Sequence, residues 1–424
     1  MGLLAPSPRK FFEKNLTKNF QTLVQCEHSA FNGRAQALRQ KNKPPVSKFL
    51  KDRGVGKGKL LSRSFLSPPK KHKNKQSKGE KTMNERNLGY LIVTDYVEAN
   101  SGKDVSDELQ KLILDNPNRT LYFPDGVYLI SKPICTPANP IHSVSLVLSC
   151  YATIKATEDW TDSEALVRLG AAEPFNDINT NGSNYFFEGG ILDGSGKANG
   201  ISIDSGRETA IRKVSIKNTV IGIHIKWGAN SRSSDADVRD VNIVGTNKVG
   251  SWGVLLEGHD NTLTNMRIAS VHKGIVAHSG GNLFRNLHPL YIYEGELADE
   301  ANYLTSVGFE DEWNDNFYDI CYSDNFCTGF TMQTSSNNIY NNSYIMWYSS
   351  VGGIEVGFKV FGQFNSIIRS PRVNFRRRTQ NALLTVSEEG GAGFIENPMT
   401  DPTIIADKQY EDYLVGKVVP RITD

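Results

Sequence analysis

Residues able to do chemistry are unevenly spread along this chain, and the densest run falls between 287 and 312. Glu294, Glu296, Asp299 and Glu300 crowd one stretch, and Glu310-Asp311-Glu312 follows closely. Cleaving a glycosidic bond needs an acid and a base or nucleophile about 5–9 Å apart, which carboxylates from one loop or from adjacent repeats can supply. Glu294, Glu296, Glu310 and Asp311 are therefore the candidate catalytic carboxylates. Trp252, Tyr291, Tyr293, Trp347 and Tyr348 are the candidate platforms for sugar faces. A different chemistry, β-elimination from a uronate, needs a base near the C5 proton and a cation at the carboxylate. His272 and Lys273 are the candidates for that role, and Lys248 and Arg376-Arg377-Arg378 extend a cationic strip suited to an acidic polymer, with Arg376 taken as substrate-binding. The plainer reading of each charge is a solvated surface group.

One cation motif stands apart. Asp177, Asn179 and Asn181, then Gly182 and Glu188, match the twelve-residue calcium loop, whose dense oxygen cage closes around a sharp turn. Neither flank reads as a helix, and Glu188 falls inside an expected strand, so a polar turn accounts for the same residues and no cofactor is expected.

What must position these groups is a repeat. Asn261-x-Leu263-x-Asn265 and Asn282-x-Phe284-x-Asn286 are the same pattern 21 residues apart. Extended both ways, the apolar position recurs at Phe186, Ile211, Val238, Leu263, Phe284, Phe317, Ile339 and Ile367, with Asn184, Thr209, Ala236, Asn261, Asn282, Asp315, Asn337 and Asn365 two residues before each. A second landmark, glycine before an alternating apolar run, recurs at Gly200, Gly222, Gly253, Gly274, Gly308, Gly329 and Gly357. Repeats of 21 to 33 residues, made of short β-branched runs with Gly and Asn at the corners, predict a parallel β-helix whose coils bury their apolar faces only by stacking. An asparagine repeated in register can hydrogen-bond to its copy one coil away. The length variation enters mainly on one side of the coil, through insertions at 287–307 and 342–356, and uneven loops on one face of a solenoid commonly build its binding surface.

Charge marks a boundary upstream. Residues 1–82 hold 20 Lys+Arg against 4 Asp+Glu, leaving 28 against 42 for the remainder, so the overall +2 conceals two unlike pieces. The first piece, with Pro44-Pro45, Pro68-Pro69 and a Lys-rich run, reads as a disordered basic segment, and 83–424 as the folded domain. A polybasic arm attracts phosphate, but no folded nucleic-acid reader accompanies it, so nucleic acid is not the expected partner. No secretory signal or membrane-spanning run is found, and location stays open. The five cysteines show no metal spacing and are expected as free thiols, mostly filling the core.

From Leu88 the texture is that of a folded protein: a strand at 91–93, a helix over 105–114, a strand over 120–130 broken at Pro124-Asp125-Gly126. The stretch DVSDELQKLILDNPNRTLYFPDGVYLISKPI resembles the opening segment of the pectate-lyase-like superfamily, through Asp104, Asp107, Phe123, Pro124, Gly126 and Tyr128, departing from it where Ser106-Asp107-Glu108 replaces an Asp-Asp-Thr run. The resemblance implies an all-β, right-handed, single-stranded parallel β-helix with an N-terminal capping helix, and a helix over 407–417 with a strand over 418–422 would close the other end. It also implies a glycan-facing protein, since that superfamily includes polysaccharide lyases, family-28-type glycosidases and phage tailspikes, without choosing a reaction. The family-28 motifs themselves are absent: Gly258-His259-Asp260 and His224-Ile225-Lys226 are fragments. The expected function is polysaccharide hydrolysis by a carboxylate pair, with uronate elimination or non-catalytic glycan adhesion as alternatives, in a monomer or a homotrimer.

Overall fold

Short runs of period two, each closed by a corner residue, cannot fold back on themselves as hairpins, but each can pair with its own copy one repeat later. A computed structural model describes residues 89–424 apart from 173–185, 228–232, 335, 348–354, 376–380, 401–407 and 421–424. Its strands pair in parallel in a 22-stranded sheet and a 10-stranded sheet. The larger sheet is two columns of strands that merge where Asp237–Val244, Thr262–Ala269 and Leu283–Leu290 run through both. Each coil thus contributes to three columns, giving the right-handed parallel β-helix expected, right-handed being the rule for parallel crossovers. The basic segment 1–82 lies outside the described residues.

Glycine sets the spacing of the third column, the ten-stranded sheet. A Cβ on Gly200, Gly222, Gly253 or Gly274 would stand 2.3–2.6 Å from the carbonyl oxygen of the landmark glycine one coil on. All seven landmark glycines fall in one register as expected, because a side chain there has no room.

The first column corrects the sequence reading by one residue at four coils. The buried register runs through Phe187, Ile211, Val238, Leu263 and Phe284 to Tyr318, Tyr340 and Ile368, so Phe186, Phe317, Ile339 and Ile367 face outward. Both members of each pair Phe186-Phe187, Phe317-Tyr318, Ile339-Tyr340 and Ile367-Ile368 are apolar, and alternation cannot choose between faces when neighbours are alike. The asparagine ladder shifts in the same way. It runs through Asn261, Asn282, Asn316 and Asn338, all buried, and not through Asp315 and Asn337. Asn282 Oδ1 accepts from Asn261 N (2.9 Å), Asn316 Oδ1 from Asn282 N (3.0 Å) and Asn338 Oδ1 from Asn316 N (2.9 Å). Ser366 takes the place expected for Asn365, its Oγ accepting from Asn338 N at 3.2 Å. A second ladder of exposed corner residues links Asn286 to Asn265 (3.1 Å) and Asn265 to Asp240 (2.6 Å), each in the left-handed conformation.

Both ends of the third column are covered. The helix Ser106–Asp115 buries Leu109, Leu112 and Ile113, and its Gln110 both donates to Cys135 O (2.9 Å) and accepts from Cys135 N (2.7 Å), satisfying the open edge of the first strand. At the other end a 3₁₀ helix, Lys408–Tyr413, replaces the longer helix expected, and Gln409 Oε1 accepts from Val386 N (2.6 Å). Phe123 and Tyr128, the aromatic residues of the opening motif, meet edge to face at 5.3 Å in the core. Cys321 and Cys327 are buried thiols as expected, while Cys150 is exposed.

Gly253→Ala is expected to lower stability by about 1–3 kcal/mol through overpacking, because its Cβ would lie 2.5 Å from both Gly274 O and Ile268 Cγ2. Chemical unfolding reads this directly, and an unchanged midpoint would mean the coils separate freely there.

Candidate functional site

Successive residues of a strand point to opposite faces, so Glu310-Asp311-Glu312 at the end of Val307–Asp311 cannot act as three equivalent carboxylates. Asp311 points inward and is 1% exposed. Its carboxylate accepts from the Tyr318 hydroxyl (2.6 Å), Trp313 N (2.9 Å) and Asn316 Nδ2 (3.0 Å). Burial pushes its pKa up to about 6 against the opposing pull of those hydrogen bonds. Asp311 is thus a structural anchor of the asparagine ladder, which corrects its expected place in a catalytic pair. Glu310 and Glu312, two residues apart, share the outer side.

They join two rows on the outer face of the third column that carry most of its charged side chains. Arg168, Ser202, His224, Leu255, Val276 and Glu310 stand in one register. Lys226, Glu257, His278 and Glu312 follow along its C-terminal edge. Arg168 pairs with Asp204 at 2.5 Å, Lys226 with Asp204 at 3.2 Å, His224 with Glu257 at 2.9 Å and His278 with Glu312 at 3.3 Å. Burial acts to raise the Asp204 carboxyl, but Arg168, Ser202 and Lys226 outweigh it and hold the group below the usual carboxylate value. Lys273 Nζ lies 2.6 Å from Glu310 Oε2 and 5.7 Å from the Trp252 ring centroid. Ligand atoms of His278, Glu310 and Glu312 all lie within 4.8 Å of one another, the one grouping of that kind among the described residues. Within this grouping Glu310 is already ion-paired with Lys273, and Glu312 lies beside His278.

Beyond the edge stand two exposed indoles. Trp227 and Trp313 are 41% and 48% exposed and flank His259, with ring centroids 5.0 and 6.3 Å from it. Sequence reading missed Trp227, Trp313, Glu257 and His278 as site residues, although a signal existed. Counting four residues from Gly222, Gly253, Gly274 and Gly308 gives Lys226, Glu257, His278 and Glu312, and counting five from the first and last gives the two tryptophans.

The other expected site residues fall elsewhere. Tyr291 and Trp347 are corrected from platforms to core: both are buried, the Tyr291 hydroxyl donating to Leu297 O (2.8 Å) and the Trp347 indole to Phe326 O. Tyr293 is partly buried against Tyr291 and Tyr303. His272 is 6% exposed, its Nε2 held by Thr305 Oγ1 (2.9 Å) and Asn302 O (3.1 Å), and burial lowers its pKa. A ring so enclosed is not a free base. Glu294 and Glu296 sit on the insertion at the opposite edge of the third column, so the four expected carboxylates do not converge. Glu296 Oε2 accepts from Val249 N (3.2 Å), and Glu294 helps line a shallow groove of about 570 Å³ with Lys155, Glu158, Asp193 and Lys248. No aromatic side chain lines that groove, whereas the outer face of the third column has indoles at both edges, which favours that face as the site. Glu188 pairs with Lys213 at 2.7 Å. Asp177, Asn179, Asn181, Tyr348 and Arg376 lie outside the described residues.

No family model and no curated protein matches this chain. Solved structures do. A Geobacillus virus E2 protein, ORF18, is similar with a TM-score of 0.52 at 11% identity, over 74% of this chain and 61% of that one. A mutant tailspike protein of Escherichia coli bacteriophage HK620, in complex with a pentasaccharide, gives 0.50 at 9% identity, over 74% of this chain and 67% of the other. A DFA-IIIase from Arthrobacter chlorophenolicus without its lid gives 0.48 at 9% identity, over 79% of this chain and 100% of the other. The present chain spans about three fifths of the Geobacillus virus protein. What the chain shares with these structures is its fold, a right-handed parallel β-helix. Among the described residues no helix is long and apolar enough to cross a membrane.

The raised pKa of Asp311 gives a pH test. Its folded-state value of about 6 exceeds the ordinary value, so the neutral form favours folding: the contribution is complete below about pH 4 and is lost as pH rises through about 6. Between pH 4 and 7 the native protein is expected to lose about 2–3 kcal/mol more than Asp311→Asn, measured by urea unfolding at each pH. Parallel curves would remove the titration from Asp311.

Proposed function

We propose that this protein hydrolyses glycosidic bonds of a polysaccharide on the outer face of its third column, with Glu310 and Glu312 as the carboxylate pair. The observation that carries this is their shared orientation, with oxygens inside 4.8 Å, between an indole on one edge and two exposed indoles on the other. Trp227 and Trp313 offer apolar ring faces to sugars. The HK620 tailspike, which has this fold, is solved with a pentasaccharide.

Glu310, in its ion pair with Lys273, is the nucleophile, and Glu312, with 47% of its side chain exposed beside His278, is the acid and then the base. Carboxyl groups about 5–5.5 Å apart belong to retaining enzymes, since inverting ones leave about 6.5–9.5 Å for a water. The spacing here therefore favours retention. Elimination is less well supported, because His272 is enclosed and Lys273 is engaged by Glu310.

The test uses the full chain against neutral and uronate-containing polysaccharides, reading new reducing ends together with the ultraviolet absorbance of unsaturated uronate. Reducing ends without that absorbance are expected. Glu310→Gln and Glu312→Gln should each lower cleavage by about 10²-fold or more while polymer binding persists, and full activity in both would sink the carboxylate pair. Binding without cleavage by the native chain would instead mark a glycan adhesin. Trp227→Ala with Trp313→Ala should weaken polymer binding about tenfold or more without moving the unfolding midpoint, as measured by affinity electrophoresis.

A further inference from the structure

The four apolar residues whose register the sequence leaves ambiguous include three that belong to a continuous exposed stripe. On the outer side of the first column, Leu283, Phe317, Ile339, Ile367 and Phe394 stand in one register over five successive coils. Leu283 and Phe317 are 37% and 45% exposed, and the other three are partly exposed. The two coils before them carry Asp237 and Thr262 at the same position, so the unbroken apolar run begins at Leu283. A solvated sheet face ordinarily alternates to polar residues there, and a contiguous apolar strip marks an interaction surface.

The neighbouring outward column identifies the partner. Two residues along each of these strands stand Arg285, Asp319, Asn341, Arg369 and Glu396. Read in reverse, this series is its own electrostatic complement: Arg285 opposes Glu396, Asp319 opposes Arg369, and Asn341 opposes itself. The apolar stripe reverses equally well, Leu283 onto Phe394, Phe317 onto Ile367, and Ile339 onto Ile339. A parallel alignment would instead set each charge against its own copy, which is repulsive.

We propose that this face is a self-association surface, on which a second copy of the chain docks antiparallel about a two-fold axis passing beside Ile339 and Asn341. Such an isologous contact closes on itself and yields a dimer. Two sheet faces would meet about 10 Å apart, within reach of arginine and glutamate side chains. The charges already pair along their own chain, Arg285 with Asp319 at 3.4 Å and Arg369 with Glu396 at 3.6 Å, and remain partly exposed, so a second copy can engage their free sides. Five coils span only about 20 Å, which is short of a large obligate interface and fits a concentration-dependent dimer.

Analytical ultracentrifugation of the full chain over a concentration series is the experiment. A reversible dimer is expected. Ile339→Lys, which faces solvent in one copy and would meet its own charge across the axis, should raise the dissociation constant at least tenfold with an unchanged unfolding midpoint. Arg285→Glu and Glu396→Arg should each weaken the dimer, and the double variant should recover it, because the pair is restored across the interface. A monomer at every concentration, a trimer, or a dimer indifferent to Ile339→Lys would overturn the proposal. So would a charge swap that fails to recover what the single changes lose.

Discussion

The molecule depends on one close approach repeated from coil to coil, in which a glycine carbonyl occupies the space where a side chain of the preceding coil would be. With that space denied to any Cβ, the third column has a single register. The buried asparagines at the start of the first column hold a second point on the middle coils, since each amide oxygen takes the backbone N–H of the coil before it. On those coils two fixed points determine which residues face out, whatever length of loop lies between them. Insertions such as 291–306 are then absorbed at a corner without disturbing the stack.

Register converts sequence distance into contact. Lys273 and Glu310 are 37 residues apart and share an ion pair, and His224 and Glu257 are 33 apart. The outer face of the third column is consequently assembled one residue per coil, with side chains about 4.8 Å from their neighbours along the axis. Its charges hold one another in place through these contacts, so the face is preorganised by its own ion pairs. Buried Asp311 contributes by position: gripping Trp313 N, Asn316 and Tyr318, it holds the strand end from which Glu310 and Glu312 project.

The outer surfaces are used unequally. The third column carries ion pairs and is edged with indoles, while the first is apolar without a break over its last five coils. Parallel stacking makes this possible, because the outward residue of each coil is free to vary while the inward one must fill a close-packed core.

Much of the fold was legible in the residues alone. The landmark glycines, the Asn261 and Asn282 pattern and the opening Phe123 to Tyr128 motif report backbone requirements, which are local and repeat with the coil. The capping helix was legible from its own apolar spacing. Which of two adjacent apolar residues faces the core at Phe317-Tyr318 or Ile339-Tyr340 was not, because alternation carries no information when both neighbours are alike. Nor was the site as a whole. Glu310 was visible as a carboxylate, but its neighbours come from other coils, and Tyr291 and Trp347 looked available for sugars although the insertion corner buries them. Residue type and period therefore determined that this chain coils. Only the tertiary register decided which side chains meet, because one residue of slip moves a group from the outer face to the core.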